Sequence, residues 1–66
     1  MSISYRPLWE SMAKKNISQY QLLKSGISNG VLDRLKKNQN ITLLTAESLC
    51  AILDCTPNDI FEFVKE

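Results

Sequence analysis

Apolar residues recur along this chain at helical spacing, and no stretch alternates regularly enough to predict a strand. Ser4 stands where a first helix would be capped, Pro7 fits its first turn, and Leu8 and Met12 stack at i, i+4. That helix is expected to end near Lys15-Asn16, where two cations suit the C-terminal end of a helix dipole. Ser18 caps a second helix through Leu22 and Leu23, which stops at Gly26, the residue best able to turn left-handed. Only two residues later Ser28 caps a third helix, running through Leu32 and Leu35 to about Asn38. Thr42 opens a fourth, in which Ala46, Leu49, Cys50 and Leu53 fall at i, i+3, i+4 and i+7 on one face. A fifth begins at Thr56-Pro57-Asn58-Asp59: Thr56 caps, Pro57 takes the first helical position, and Asp59 stands where a reciprocal capping acid belongs. Ile60, Phe63 and Val64 would supply its apolar face. The expected fold is all-α, a compact five-helix bundle forming one domain over residues 1–66. Asn29-Gly30 is also a hairpin signal. Its flanks do not alternate, however, and Val31-Leu32-Asp33-Arg34-Leu35 has helical spacing, so the pair belongs in the first turn of the third helix.

Length narrows the chemistry. A chain of 66 residues buries only about 60% of its unfolded surface and has no room for a substrate domain beside a cofactor domain. Hydrophobic residues make up 44% and charged residues 23%, a globular balance. The longest apolar run, Leu49-Cys50-Ala51-Ile52-Leu53, is far short of the ~18 residues of a membrane span. No charged start leads into an apolar segment, so a cytoplasmic location is expected. Histidine is absent, which removes the commonest general base and the commonest metal ligand. Cys50 and Cys55 are too few for a four-ligand zinc site or a disulfide framework and read as core thiols. No cofactor, metal or small-molecule ligand is expected, and neither is catalysis.

The net charge of +1 hides a division. Residues 1–40 carry seven basic side chains (Arg6, Lys14, Lys15, Lys24, Arg34, Lys36, Lys37) against Glu10 and Asp33, a net +5. Residues 41–66 carry Lys65 against Glu47, Asp54, Asp59, Glu62 and Glu66, a net −4. Such a split suits a polyanion partner for the first part, although an unevenly charged solvated surface gives the same arithmetic. The third helix concentrates the signal. At about 100° per residue, Lys36, Asn29, Asp33, Lys37, Gly30 and Arg34 follow one another around one arc, and Val31, Leu35 and Leu32 occupy the rest. One face can dock on the bundle while the other offers amides and cations, the groups that read base edges. Gly30 lets a helix backbone approach a groove closely. An ordinary solvated face is the plainer alternative.

Two short helices joined by a tight glycine turn make a helix-turn-helix, whose second member enters the major groove. The segment from Ser18-Gln19-Tyr20-Gln21-Leu22-Leu23 through Lys24-Ser25-Gly26-Ile27-Ser28 to Leu35 resembles that of phage repressor and Cro-like regulators, the XRE family. Downstream, Ile52-Leu53-Asp54-Cys55-Thr56-Pro57-Asn58-Asp59-Ile60 looks like the family's exit from its fourth helix and entry into its fifth. The resemblance runs from about Leu8 to Val64 and implies a lambda-repressor-like fold. Two departures stand out: Leu23 replaces the family's usual Ala, and the turn before Gly26 is one residue shorter, which re-aims the recognition helix slightly. By position, the resemblance implies that Asn29, Gly30, Asp33 and Arg34 read bases, Arg34 above all, with Asp33 orienting Arg34. It implies phosphate contacts at Gln19, Ser28 and Lys37, assisted by Lys36 and Asn38.

Other residues carry plainer readings. Trp9 belongs to the core or its edge, Tyr20 to a phosphate contact or a packing role, and Lys14 and Lys15 to the helix dipole. Phe61, Phe63 and Val64 suit either a homodimer patch or the core. The leading expectation is a DNA-binding transcriptional regulator, with double-stranded DNA as partner and two copies on half-sites about one helical turn apart. The other is a helical protein-interaction module, such as an antitoxin or anti-repressor component.

Overall fold

The structure, a computed structural model, describes residues 2–65. Four helices form it: α1 (Arg6–Lys15), α2 (Gln19–Lys24), α3 (Asn29–Lys36) and α4 (Leu43–Leu53). A single 3-10 turn, Pro57–Asp59, follows, and two short strands, β1 (Ser2–Ser4) and β2 (Glu62–Val64), pair antiparallel with Ile3 opposite Phe63. The fold is therefore mostly helical rather than all-α, and the described residues form four helices rather than the five expected.

The helix starts and stops follow from local chemistry. Ser18, Ser28 and Thr42 have extended backbones, and each accepts, through its side-chain oxygen, the amide three residues on. At Ser18 the device is reciprocal, since Gln21 Oε1 accepts the Ser18 amide at 2.7 Å. All four helices end alike. Asn16, Gly26, Asn38 and Asp54 are left-handed, and the amide after each reaches back to a carbonyl in the last turn: Ile17 to Met12, Ile27 to Leu22, Gln39 to Arg34, Cys55 to Cys50. At the end of α2 the bonded pair, Leu22 and Ile27, is also buried. The turn thus delivers an apolar anchor to the core as it reverses the chain.

Two expectations at the chain's ends change. Ser4 closes β1 rather than capping α1; Tyr5 takes the cap position, and Ser4 Oγ accepts the Arg6 amide at 3.2 Å. At the other end Asp59 reaches Thr56, its carboxylate accepting from the Thr56 amide and hydroxyl at 3.4 Å each. The helix nevertheless stops after one turn. Ile60 is drawn into the core, and the β-favouring run that follows gains backbone pairing with β1 that a lone helical turn would lack. Arg6 spans this junction, reaching Glu10 at 3.4 Å and Glu62 at 3.3 Å.

The core gathers Tyr5, Leu8, Met12, Leu22, Ile27, Leu32, Leu35, Leu49, Leu53 and Ile60 from every helix and both ends. Trp9, Leu23, Cys50 and Cys55 are partly buried against it. Both thiols are free, and burial, then Cys50 and Asp59 nearby, push the Cys55 thiol above its ordinary value. Lys15 serves a neighbouring helix, since its ammonium donates to the carbonyls of Leu53 and Asp54 at the C-terminal end of α4. Asp54 places a carboxylate at that same negative end, on a left-handed residue with φ 51°. Asp54→Gly removes both penalties and is expected to stabilise the fold by about 0.5–1 kcal/mol. Thermal denaturation should show a melting temperature several degrees higher.

Candidate nucleic-acid interface

α2 and α3 form the helix-turn-helix. The capped start of α2, the left-handed Gly26 (φ 109°) and the Ser28 cap fix where α3 begins. Leu32 and Leu35 bury one side of α3, with Val31 half-buried beside them. The other side stays in water: Asn29, Gly30, Asp33, Arg34, Lys36 and Lys37 are all exposed. The hydrophobic effect orients the helix, and the polar arc faces outward because the apolar stripe cannot.

The predicted site residues divide into groups. Gln19 is exposed at the first position of α2. Ser28 spends its side-chain oxygen on the Val31 amide at 3.2 Å. The remaining free amides of the first turn of α3 therefore face solvent beside Asn29 and Gly30. Asp33 pairs with Lys37, one turn on, at 3.1 Å. This differs from the expected orientation of Arg34 by Asp33. Arg34 makes no ion pair among the described residues, so its guanidinium is open to a ligand. Asn38 is committed to the fold: left-handed at φ 56°, it accepts the Tyr5 amide on Oδ1 at 3.1 Å. Beside it the Tyr5 hydroxyl donates to the Gln39 carbonyl at 2.6 Å.

Those two bonds tie the end of α3 to the entry of α1, and neither was visible in the sequence. Tyr5 is wholly buried and positions the helix that carries the polar arc. The one sequence clue is an Asn just past the expected end of the third helix, a residue type that takes a left-handed backbone readily. Tyr20 is 66% exposed, and the Lys24 ammonium lies 5.4 Å from its ring centroid. That contact puts an aromatic and a cation together on the exposed side of α2. Gly30 has open space around it, for an added Cβ would meet nothing nearer than Ser28 Oγ at 3.9 Å. Nothing among the described residues demands a glycine there.

This architecture defines a helix-turn-helix domain with a basic, amide-bearing second helix. The chain belongs to the Cro/C1-type helix-turn-helix DNA-binding domain family, whose model matches residues 7–66. It is similar to the crystal structure of the transcriptional regulator VanUg: 29% identity, TM-score 0.90, covering 98% of this chain and 88% of that one. No curated protein matches it. No helix among the described residues is long and apolar enough to cross a membrane.

Proposed function

We propose that this protein is a sequence-specific, non-enzymatic transcriptional regulator that sets α3 in the DNA major groove and acts as a repressor. The observation that carries the reading is the exposed arc on α3. Arg34 and Asn29 can contact base edges there, with Lys36, Lys37 and Gln19 placed for the flanking phosphates. Ser28 presents free amides to the backbone at the start of the helix. Asp33 holds Lys37 in the free protein and releases it to a phosphate, or accepts from a cytosine amine. Each copy reads few base pairs, so useful specificity comes from two copies on half-sites about one helical turn apart.

Selection from a random DNA pool should return paired half-sites at that spacing. Anisotropy titration of a selected site at two salt concentrations should show affinity falling with a log–log slope of about −0.9 per neutralised phosphate. Binding without salt dependence, or no enriched sequence, would sink the reading.

Gly30→Ala separates fold from function. Ala is favoured over Gly inside a helix by about 0.5–1 kcal/mol, and the space is open, so the variant should melt at a higher temperature. The added methyl stands on the DNA-facing arc, so affinity for the selected site should fall. A more stable protein that binds DNA worse is the expected pair of results; unchanged binding would remove Gly30 from the interface.

A further inference from the structure

Each helix end closes on a backbone hydrogen bond between residues five apart, and the pairs so joined differ in chemistry: Met12 and Ile17, Leu22 and Ile27, Arg34 and Gln39, Cys50 and Cys55. Such a closure commonly brings the two side chains together, as in the buried apolar pair Leu22 and Ile27. At the exit of α4 the same two positions hold the chain's only cysteines, both free and partly exposed. The Cys55 amide donates to the Cys50 carbonyl at 3.0 Å across the left-handed Asp54. With standard bond lengths on either side, that hydrogen bond keeps the two Cα atoms within about 7 Å, the span beyond which a disulfide cannot close. We propose that Cys50 and Cys55 form a reversible redox site, closing to a disulfide that staples the exit of α4.

The turn between the two thiols is held from outside, so closing it needs little rearrangement. From α1 the Lys15 ammonium donates to the carbonyls of Leu53 and Asp54, both inside the ring that would form. Just beyond it Asp59 accepts the Thr56 amide, and the Ser11 hydroxyl on α1 donates to the Asp59 carbonyl at 2.9 Å. Proximity of the thiols shows at Cys55, which burial and then Cys50 hold above its ordinary value. A thiol so held ionises late and attacks slowly. Cys50, on the wall of the open cleft beside Pro57 and Phe61, is the thiol an oxidant meets first. That oxidant is a low-molecular-weight disulfide. The Cys50 thiolate attacks one of its sulfurs, breaking the S–S bond and releasing a thiolate that takes up a proton. The Cys55 thiolate then attacks the Cys50 sulfur of the mixed disulfide and releases the second thiolate, which is protonated in turn. Two cysteine thiols thus lose two electrons and two protons, and the reagent gains both as a pair of thiols. The bond fixes the path from α4 towards Ile60 and β2 and leaves the polar arc of α3 untouched. A reducing compartment keeps the pair open and an oxidising one closes it.

This site stands whether or not the chain reads DNA. The full chain, equilibrated with oxidised glutathione, should become a monomer lighter by two hydrogens whose cysteines resist alkylation until a reductant is added. Intact-mass spectrometry reads both properties. Cys50→Ser and Cys55→Ser should each stop at a mixed disulfide carrying one glutathione, with unchanged far-ultraviolet circular dichroism. The oxidised chain should melt several degrees above the reduced one, because the bond constrains the unfolded state. By linkage, the same glutathione mixture should leave a larger open fraction in concentrated urea, where the fold no longer holds the turn. Thiols that stay open to alkylation, covalent dimers, or glutathione adducts that persist on the unaltered chain overturn the proposal. So does an oxidised form that melts no higher than the reduced, or an equal open fraction in urea.

Discussion

Tyr5→Ala is expected to leave the chain largely unfolded at room temperature. The Tyr5 ring is wholly buried with Leu8, Leu22, Leu35, Leu49, Leu53 and Ile60, so truncation opens a cavity among residues from α1 to the C-terminal segment. Loss of a buried aromatic costs about 3–5 kcal/mol. A domain of this size holds only roughly 3–10 kcal/mol in total at the usual figure per residue. Urea denaturation followed by circular dichroism should show most of the transition gone.

Tyr5→Phe isolates the hydroxyl. It keeps the ring and loses the 2.6 Å bond to the Gln39 carbonyl. Gln39 is exposed, so water can take the vacated acceptor, and the cost should be only about 0.5–1.5 kcal/mol. Alkaline pH probes the same contact, because burial raises the Tyr5 phenol above its ordinary value of 10.0. The folded state therefore holds this proton more tightly than the unfolded chain. The stability it confers is fully present below pH 10 and is lost as pH rises through the folded value. Tyr5→Phe should be measurably less sensitive to pH in that range. Equal sensitivity in both proteins would show that another group controls alkaline unfolding.

Tyr5 also shows where the sequence could be read and where it could not. Helix starts and stops are written in residues three to five apart, so Ser18, Gly26, Ser28 and Thr42 located α2, the start of α3 and the start of α4. The outward arc of α3 followed from periodicity alone, because Leu32 and Leu35 had only one face to bury. Contacts between distant parts of the chain leave no such local mark. Glu62–Val64 became a strand because Ser2–Ser4, from the opposite terminus, was there to pair with it. The sequence offers only the capping signal at Thr56-Pro57-Asn58-Asp59 and the apolar spacing of Ile60, Phe63 and Val64, which predict a fifth helix. By position, the family resemblance makes Asn38 an assisting phosphate contact. Its left-handed backbone and its bond to Tyr5 also make it the tether of α3, a role that no local pattern announces. The sequence points Lys15 at the dipole of its own helix, whereas in the structure it caps α4 because that helix ends beside it. The residues facing outward were thus easier to find than those holding them in place.

Arg34→Ala should abolish most sequence preference while sparing the fold and general affinity for DNA. Arg34 is exposed on α3 with no ion pair among the described residues, so its removal leaves no buried charge and no broken network. Ala is also the better helix former. If its guanidinium grips a guanine through two parallel bonds, its loss costs about 1–3 kcal/mol of discrimination, roughly 5- to 150-fold. Affinity for the selected site should drop by that factor and converge on affinity for random DNA. Two controls separate reading from charge. Arg34→Lys retains the charge and loses the planar fork, so specificity should still fall. Lys36→Ala should weaken binding to every sequence alike and lower the magnitude of the salt slope by about 0.9. Anisotropy titrations on selected and scrambled duplexes at two salt concentrations distinguish these outcomes. Should Arg34→Ala weaken both duplexes equally, Arg34 is a phosphate contact, and base reading passes to Asn29 and Asp33. Melting temperatures close to that of the unaltered protein in all three variants tie the losses to the interface rather than to the fold.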